Sequence, residues 1–88
     1  MLELRPNCEN CKKPLANDSK DAMICSFECT FCLTCVEKVL LGVCPNCGGN
    51  FSERPIRPES LLNKYPVSNK LVYQPINKEA HINKWNIK

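Results

Sequence analysis

Large apolar residues are sparse along this chain, and one stretch carries them at helical spacing. Val36, Val39 and Leu40 recur at i, i+3 and i+4, with Glu37 and Lys38 turned outward. That spacing predicts a short helix over 34–41, with Gly42 just past its end, where a positive φ suits glycine. Upstream, Ala22-Met23-Ile24 followed by Phe27 and Phe31 predicts a small β-hairpin, preceded by a loop at Asn17-Asp18-Ser19. Downstream, Arg54-Pro55-Ile56-Arg57-Pro58 reads as an extended linker. A second short helix is expected at 58–65: proline opens it, Glu59 is an early acid, Lys64 a late base, and Pro66 ends it. From Val67 to Lys88 the apolar residues Leu71, Val72, Tyr73, Ile82 and Trp85 keep no clean period, so this stretch is expected to be largely disordered or loosely docked. The chain therefore divides into a module over residues 1–52 and a C-terminal extension over 53–88.

With 88 residues, and only three Phe, two Tyr and one Trp, the chain cannot bury a large core. Small domains of this kind are stapled, by disulfides or by a structural metal. The staples are visible: eight cysteines fall between Cys8 and Cys47 in the order C-x2-C-x13-C-x3-C-x2-C-x2-C-x8-C-x2-C. A Cys-x2-Cys pair on a tight turn aims both sulfurs at one point and suits a tetrahedral ion bound at about 2.3 Å. Two pairs complete one four-cysteine site, so four pairs make two. Met1 to Pro6 has no apolar export segment, and no stretch approaches the roughly 18 apolar residues of a membrane span. A cytoplasmic location is expected, and thiols kept reduced there read as metal ligands rather than disulfides.

The predicted hairpin carries Cys25 and Cys29, and the predicted helix places Cys32 and Cys35 at its N-terminus, where the dipole favours thiolates. Gly48 after the last pair suits the positive φ of a zinc knuckle, while Lys12 and Lys13 follow the first pair instead. Knuckle, hairpin and helix together make a treble-clef arrangement. The four pairs can share two metals sequentially, nested or crossed. Crossed sharing closes longer loops than sequential sharing would and ties both ends of a core-poor chain to its middle.

The spacing resembles the RING finger pattern at every gap, with Cys29 where many RING proteins have histidine and Cys44-Pro45-Asn46-Cys47 matching the family's Cys-Pro-x-Cys ending. This resemblance implies a small α+β cross-brace with one short helix, a small β-hairpin and two structural Zn2+. Cys8, Cys11, Cys32 and Cys35 would hold one zinc, and Cys25, Cys29, Cys44 and Cys47 the other. More narrowly, Met1 to Cys8, Asp21 to Cys32 and Cys44 to Gly49 resemble a group of short bacterial proteins, a domain-of-unknown-function family, from residue 1 to about Ser68. That family implies a fold and a metal but no activity.

Other chemistries fit poorly. Cys25-x3-Cys29-x2-Cys32 equals the cluster motif of radical S-adenosylmethionine enzymes, but the chain is far too short for their barrel. The ferredoxin order of cysteines is absent. Four thiolates per zinc leave no open catalytic position, and the single histidine, His81, lies in the weakly patterned tail and is expected to be solvated. No enzyme is expected. Ubiquitin ligase activity is disfavoured too. Of the places that grip a conjugating enzyme in RING proteins, Glu9-Asn10, Val43 and Gly48 stand at three, and only Pro45 fits.

The formal charge of +3 is lowered by four once eight thiolates and two Zn2+ are counted, to about −1. The halves differ: residues 1–52 hold five Lys/Arg and six Asp/Glu, residues 53–88 seven and three. The expected partner is another protein. The alternative is a nucleic-acid regulator using Arg54, Arg57, Lys64, Lys70, Lys78, Lys84 and Lys88 with Tyr65, Tyr73 and Trp85. The bland reading of those cations is a solvated tail.

Overall fold

The structure, a computed structural model, describes residues 1–87. Strand β1 (Ala22–Ile24) and strand β2 (Thr30–Cys32) form the hairpin, and β2 runs directly into helix α1 (Leu33–Lys38). Strand β3 (Ser52–Glu53), helix α2 (Glu59–Leu62) and helix α3 (Lys78–Trp85) follow. The sheet has the order β2-β1-β3 and is antiparallel, with Met23 opposite both Phe31 and Glu53. The result is a small α+β protein whose cysteine clusters fit a zinc-binding cross-brace.

Cysteines make up much of the core. Cys8, Cys25, Cys29, Cys32, Cys35 and Cys44 are buried together with Leu15, Ala22, Phe31, Val36 and Leu40. Phe51 packs edge-on against Phe31 with ring centroids 5.7 Å apart. Such a pair adds about 0.5–1.5 kcal/mol beyond its area, but few large side chains join it. The interior is organised around sulfur.

Several local expectations shift. Helix α1 is shorter than 34–41: it ends at Lys38 with Val39 as C-cap, and both Leu41 (φ 53°) and Gly42 (φ 79°) are left-handed. The turn holds because Gly42 N–H still reaches the Val36 carbonyl at 3.0 Å. A division at residue 52 would cut through β3, and Arg54 N–H continues the pairing to the Ala22 carbonyl at 2.9 Å. Helix α2 occupies only part of 58–65, from Glu59 to Leu62.

The tail, read from the sequence as largely disordered or loosely docked, carries helix α3 and packs against the module. The Asn77 side chain caps α3 by accepting from Ala80 N–H at 3.0 Å, and Asn86 ends it in the left-handed region at φ 54°. Polar anchors dock it, which is why apolar periodicity does not reveal it. His81 is 3% exposed, with Nε2 2.8 Å from the Leu40 carbonyl, so the histidine expected in solvent is buried. Lys88 lies outside the described residues. No helix among them is long and apolar enough to cross a membrane.

Candidate metal centres

The first and last Cys-x2-Cys turns fold alike. Cys8 N–H donates to the Lys13 carbonyl at 2.8 Å and Lys12 N–H returns to the Cys8 carbonyl at 2.9 Å; Cys44 with Gly49, and Gly48 with Cys44, repeat both distances. The residue after the second cysteine is left-handed in each, φ 68° at Lys12 and 76° at Gly48. Lys12 thus adopts the conformation that glycine takes in the other knuckle, at a cost of about 1–2 kcal/mol for a residue with a Cβ. The Cys25–Cys29 loop turns similarly, with Glu28 at φ 65° and Cys25 N–H on the Cys29 carbonyl at 3.2 Å.

These turns gather the cysteines in crossed order. The sulfurs of Cys8, Cys11, Cys32 and Cys35 all lie within 4.8 Å of one another, as do those of Cys25, Cys44 and Cys47. The first pair therefore meets the third, across the hairpin, and the second meets the fourth. Cys29 stands outside the close triplet but beside it: its Sγ accepts from Asn46 Nδ2 at 3.3 Å, and Asn46 lies between Cys44 and Cys47. None of the eight cysteines is in a disulfide. A tetrahedron with metal–sulfur bonds of about 2.3 Å has edges near 3.8 Å, and Cys11 Sγ stands 3.7 Å from Cys32 Sγ. The donor set fits a thiophilic tetrahedral metal.

Hydrogen-bond donors surround the sulfurs, as they should around sites that collect negative charge. Phe27 N–H points at Cys25 Sγ (3.3 Å) and Gly49 N–H at Cys47 Sγ (3.4 Å). Asn10 Nδ2 donates to Cys35 Sγ at 3.2 Å, the counterpart of the Asn46 contact. Each knuckle is thus Cys-x-Asn-Cys, its asparagine bonded to a sulfur of the pair it joins. That repeated asparagine was readable in the sequence, yet spacing arguments look only at the cysteines.

Without a metal the site is costly to ionise. Burial pushes the Cys32, Cys35 and Cys44 thiols up, so at Cys32 and Cys35 desolvation outweighs any help from the start of a six-residue helix. At the exposed Cys11 desolvation also opposes ionisation. The Lys13 backbone N–H and the neighbouring thiols outweigh it, and that thiol is lowered.

Two arginines that the nucleic-acid alternative would use as phosphate contacts have other work. Arg54 is 3% exposed, and its guanidinium donates to the carbonyls of Arg5 (2.8 Å), Leu15 (3.3 Å) and Ala16 (2.9 Å). Arg57 donates to the carbonyls of Leu2 (2.7 Å) and Tyr65 (2.6 Å). Glu9 is equally buried; its carboxylate accepts from Thr30 N–H at 2.6 Å and from Arg5 at 2.5 Å.

A cross-brace of two cysteine clusters is the class that fold and site define. The chain belongs to the family described as protein of unknown function (DUF1272), whose model matches residues 1–57. That match ends short of the Ser68 expected from the sequence. An uncharacterised protein of Rhizobium meliloti (strain 1021) is 60% identical over 75 residues, covering 85% of this chain and 89% of that protein. A match of that length runs through the tail at least as far as residue 75. No solved structure matches the chain.

Proposed function

We propose that the chain is a non-catalytic, RING-like treble-clef protein that holds two structural zinc ions and works by binding another protein. Cys8, Cys11, Cys32 and Cys35 hold one ion; Cys25, Cys29, Cys44 and Cys47 hold the other. The observation that carries the reading is the crossed gathering of sulfurs, with the 3.7 Å Cys11–Cys32 spacing that a four-thiolate zinc requires. A site closed by four thiolates has no position for substrate or activated water, which argues for scaffolding rather than catalysis.

Ligase chemistry is disfavoured by the first knuckle. Glu9 is buried there, where a conjugating enzyme would need an apolar contact, and Gln74 N–H caps its carbonyl at 2.7 Å. The nucleic-acid reading loses Arg54 and Arg57 to backbone carbonyls, and Lys84 lies over the Trp85 ring at 5.0 Å. A protein partner is favoured by what stays outside. Phe27 is 73% exposed at the tip of the Cys25–Cys29 loop, and Ile56 (51%) and Leu61 (44%) are exposed on the far side of β3 in sequence.

Crosslinking in the native host tests this, comparing the full chain with its Phe27→Ser and Ile56→Ser variants. A protein adduct lost in one of them, without change in metal content, supports the reading. Micromolar, salt-sensitive binding of unrelated DNA or RNA by the full chain would replace it with the nucleic-acid alternative.

A further inference from the structure

We propose that the C-terminal segment is a latch whose docking is coupled to the first cysteine cluster through the Asn10 carboxamide; the inference rests on that cluster holding a metal. Asn10 lies inside the first knuckle and is bonded in two directions. Its Nδ2 donates to Cys35 Sγ at 3.2 Å, and its Oδ1 accepts from the backbone N–H of Ile76 at 2.7 Å. One planar amide therefore joins a sulfur of the cluster to the backbone of the tail, its own position lying 66 positions before Ile76 in the chain.

The seam around Asn10 is narrow and specific. Gln74 N–H donates to the Glu9 carbonyl at 2.7 Å, and Asn7 Nδ2 donates to the Val72 carbonyl at 2.9 Å. Residues 72–76 are thus laid along the first knuckle without forming a strand. Beyond them α3 anchors on the other side: His81 on the Leu40 carbonyl, Lys84 Nζ on the Pro45 carbonyl at 3.4 Å, and Trp85 against Gly48. The tail spans both knuckles, but among the described residues only at the first does it donate to a side chain that itself donates to a cysteine sulfur.

Coupling follows from the geometry. A metal that closes the first cluster holds Cys35 against the knuckle, and Cys35 holds the amide plane that presents Oδ1 to Ile76. An opened cluster frees that plane and removes one bond from a stretch of the tail in which Leu71 and Tyr73 are already 56% and 48% exposed. By linkage the effect runs both ways, so a docked tail retains the metal more firmly. Asn46 is a control built into the chain. It makes the equivalent bond to Cys29 Sγ but takes no bond from the tail among the described residues.

The full-length, metal-loaded protein provides the test, with native mass spectrometry first establishing two metals per chain. Absence of metal there would remove the reading on which the latch rests, separately from the latch itself. Hydrogen exchange at Gln74 and Ile76 is then followed in Asn10→Ala and Asn46→Ala. Cysteine alkylation after a chelator challenge, mapped by mass, reports each cluster's opening. Asn10→Ala should speed exchange at both amides about tenfold, within the usual size of such couplings, while Asn46→Ala leaves them unchanged. Ile76→Pro, which deletes the tail donor and leaves every cysteine and Asn10 in place, should speed alkylation of Cys11, Cys32 and Cys35 by a similar factor and spare Cys44 and Cys47. Wild-type exchange in metal-loaded Asn10→Ala, or wild-type alkylation in Ile76→Pro, would overturn the latch.

Discussion

Trp85 lies directly on Gly48: a Cβ placed on that glycine would come within 2.6 Å of the indole ring. The same glycine is left-handed at φ 76° and closes the last cysteine knuckle. One residue thus permits both the turn that aims Cys44 and Cys47 and the seat of the C-terminal helix.

Gly48→Ala should therefore cost more than an ordinary left-handed alanine. Backbone strain alone is about 1–2 kcal/mol, and the indole must also move. Because Trp85 is the only tryptophan, its emission reports the displacement directly. A red-shifted spectrum with a lower denaturation midpoint is expected; an unchanged spectrum would mean that α3 does not rest on the knuckle.

Arg54 should prove structural. Arg54→Ala leaves the Arg5, Leu15 and Ala16 carbonyls without their donor in a buried setting, and each unsatisfied group costs about 1–3 kcal/mol. Loss of several kcal/mol is expected by denaturant titration. Arg54→Lys should recover only part, since an ammonium cannot match the planar fork.

The two histidine substitutions Cys29→His and Cys32→His should differ. Cys29 stands outside the close triplet, so a longer imidazole has distance to cover, and its Asn46 donor can be given up. Cys32 is 2% exposed, caps α1 and ends β2, where a larger ring has no room. Metal retention in Cys29→His and loss from the first cluster in Cys32→His are expected, read by native mass spectrometry. Equal losses would count against crossed, RING-like ligation.

Metal uptake should release protons. The Cys32, Cys35 and Cys44 thiols of the metal-free fold are raised by burial, so they enter neutral solution protonated and must ionise to bind. Affinity should then increase as pH rises and weaken as it falls. Calorimetry in buffers of different ionisation enthalpy measures this. A binding heat that does not vary with buffer would contradict it.

How far the sequence could be read depended on the kind of signal. The cysteine spacing carried the metal-binding turns, because a Cys-x2-Cys turn constrains its sulfurs locally, while the crossed sharing between pairs came from the resemblance to RING fingers. The hairpin and α1 followed from Met23, Phe31, Val36 and Leu40. The tail was not legible, since α3 docks through His81, Lys84 and Trp85 rather than an apolar stripe, and side chains of that kind also occur on solvated surfaces. Arg54 and Arg57 misled for a related reason. A cation reads as a surface charge until the carbonyls it fills are known, and those carbonyls lie about 40 residues or more away for most of these bonds. Asn10 and Asn46 were present as a repeated Cys-x-Asn-Cys and went unused.

The most direct test of the account is the metal content of the full chain by native mass spectrometry, followed by chelation. Two zinc ions per folded chain are expected, with cooperative unfolding as they are removed. Structural zinc supplies about 10–16 kcal/mol in small peptides, and few large apolar side chains are available to replace it. A folded chain carrying one metal, or one that keeps its native spectrum after every metal is shown to be gone, would contradict the account.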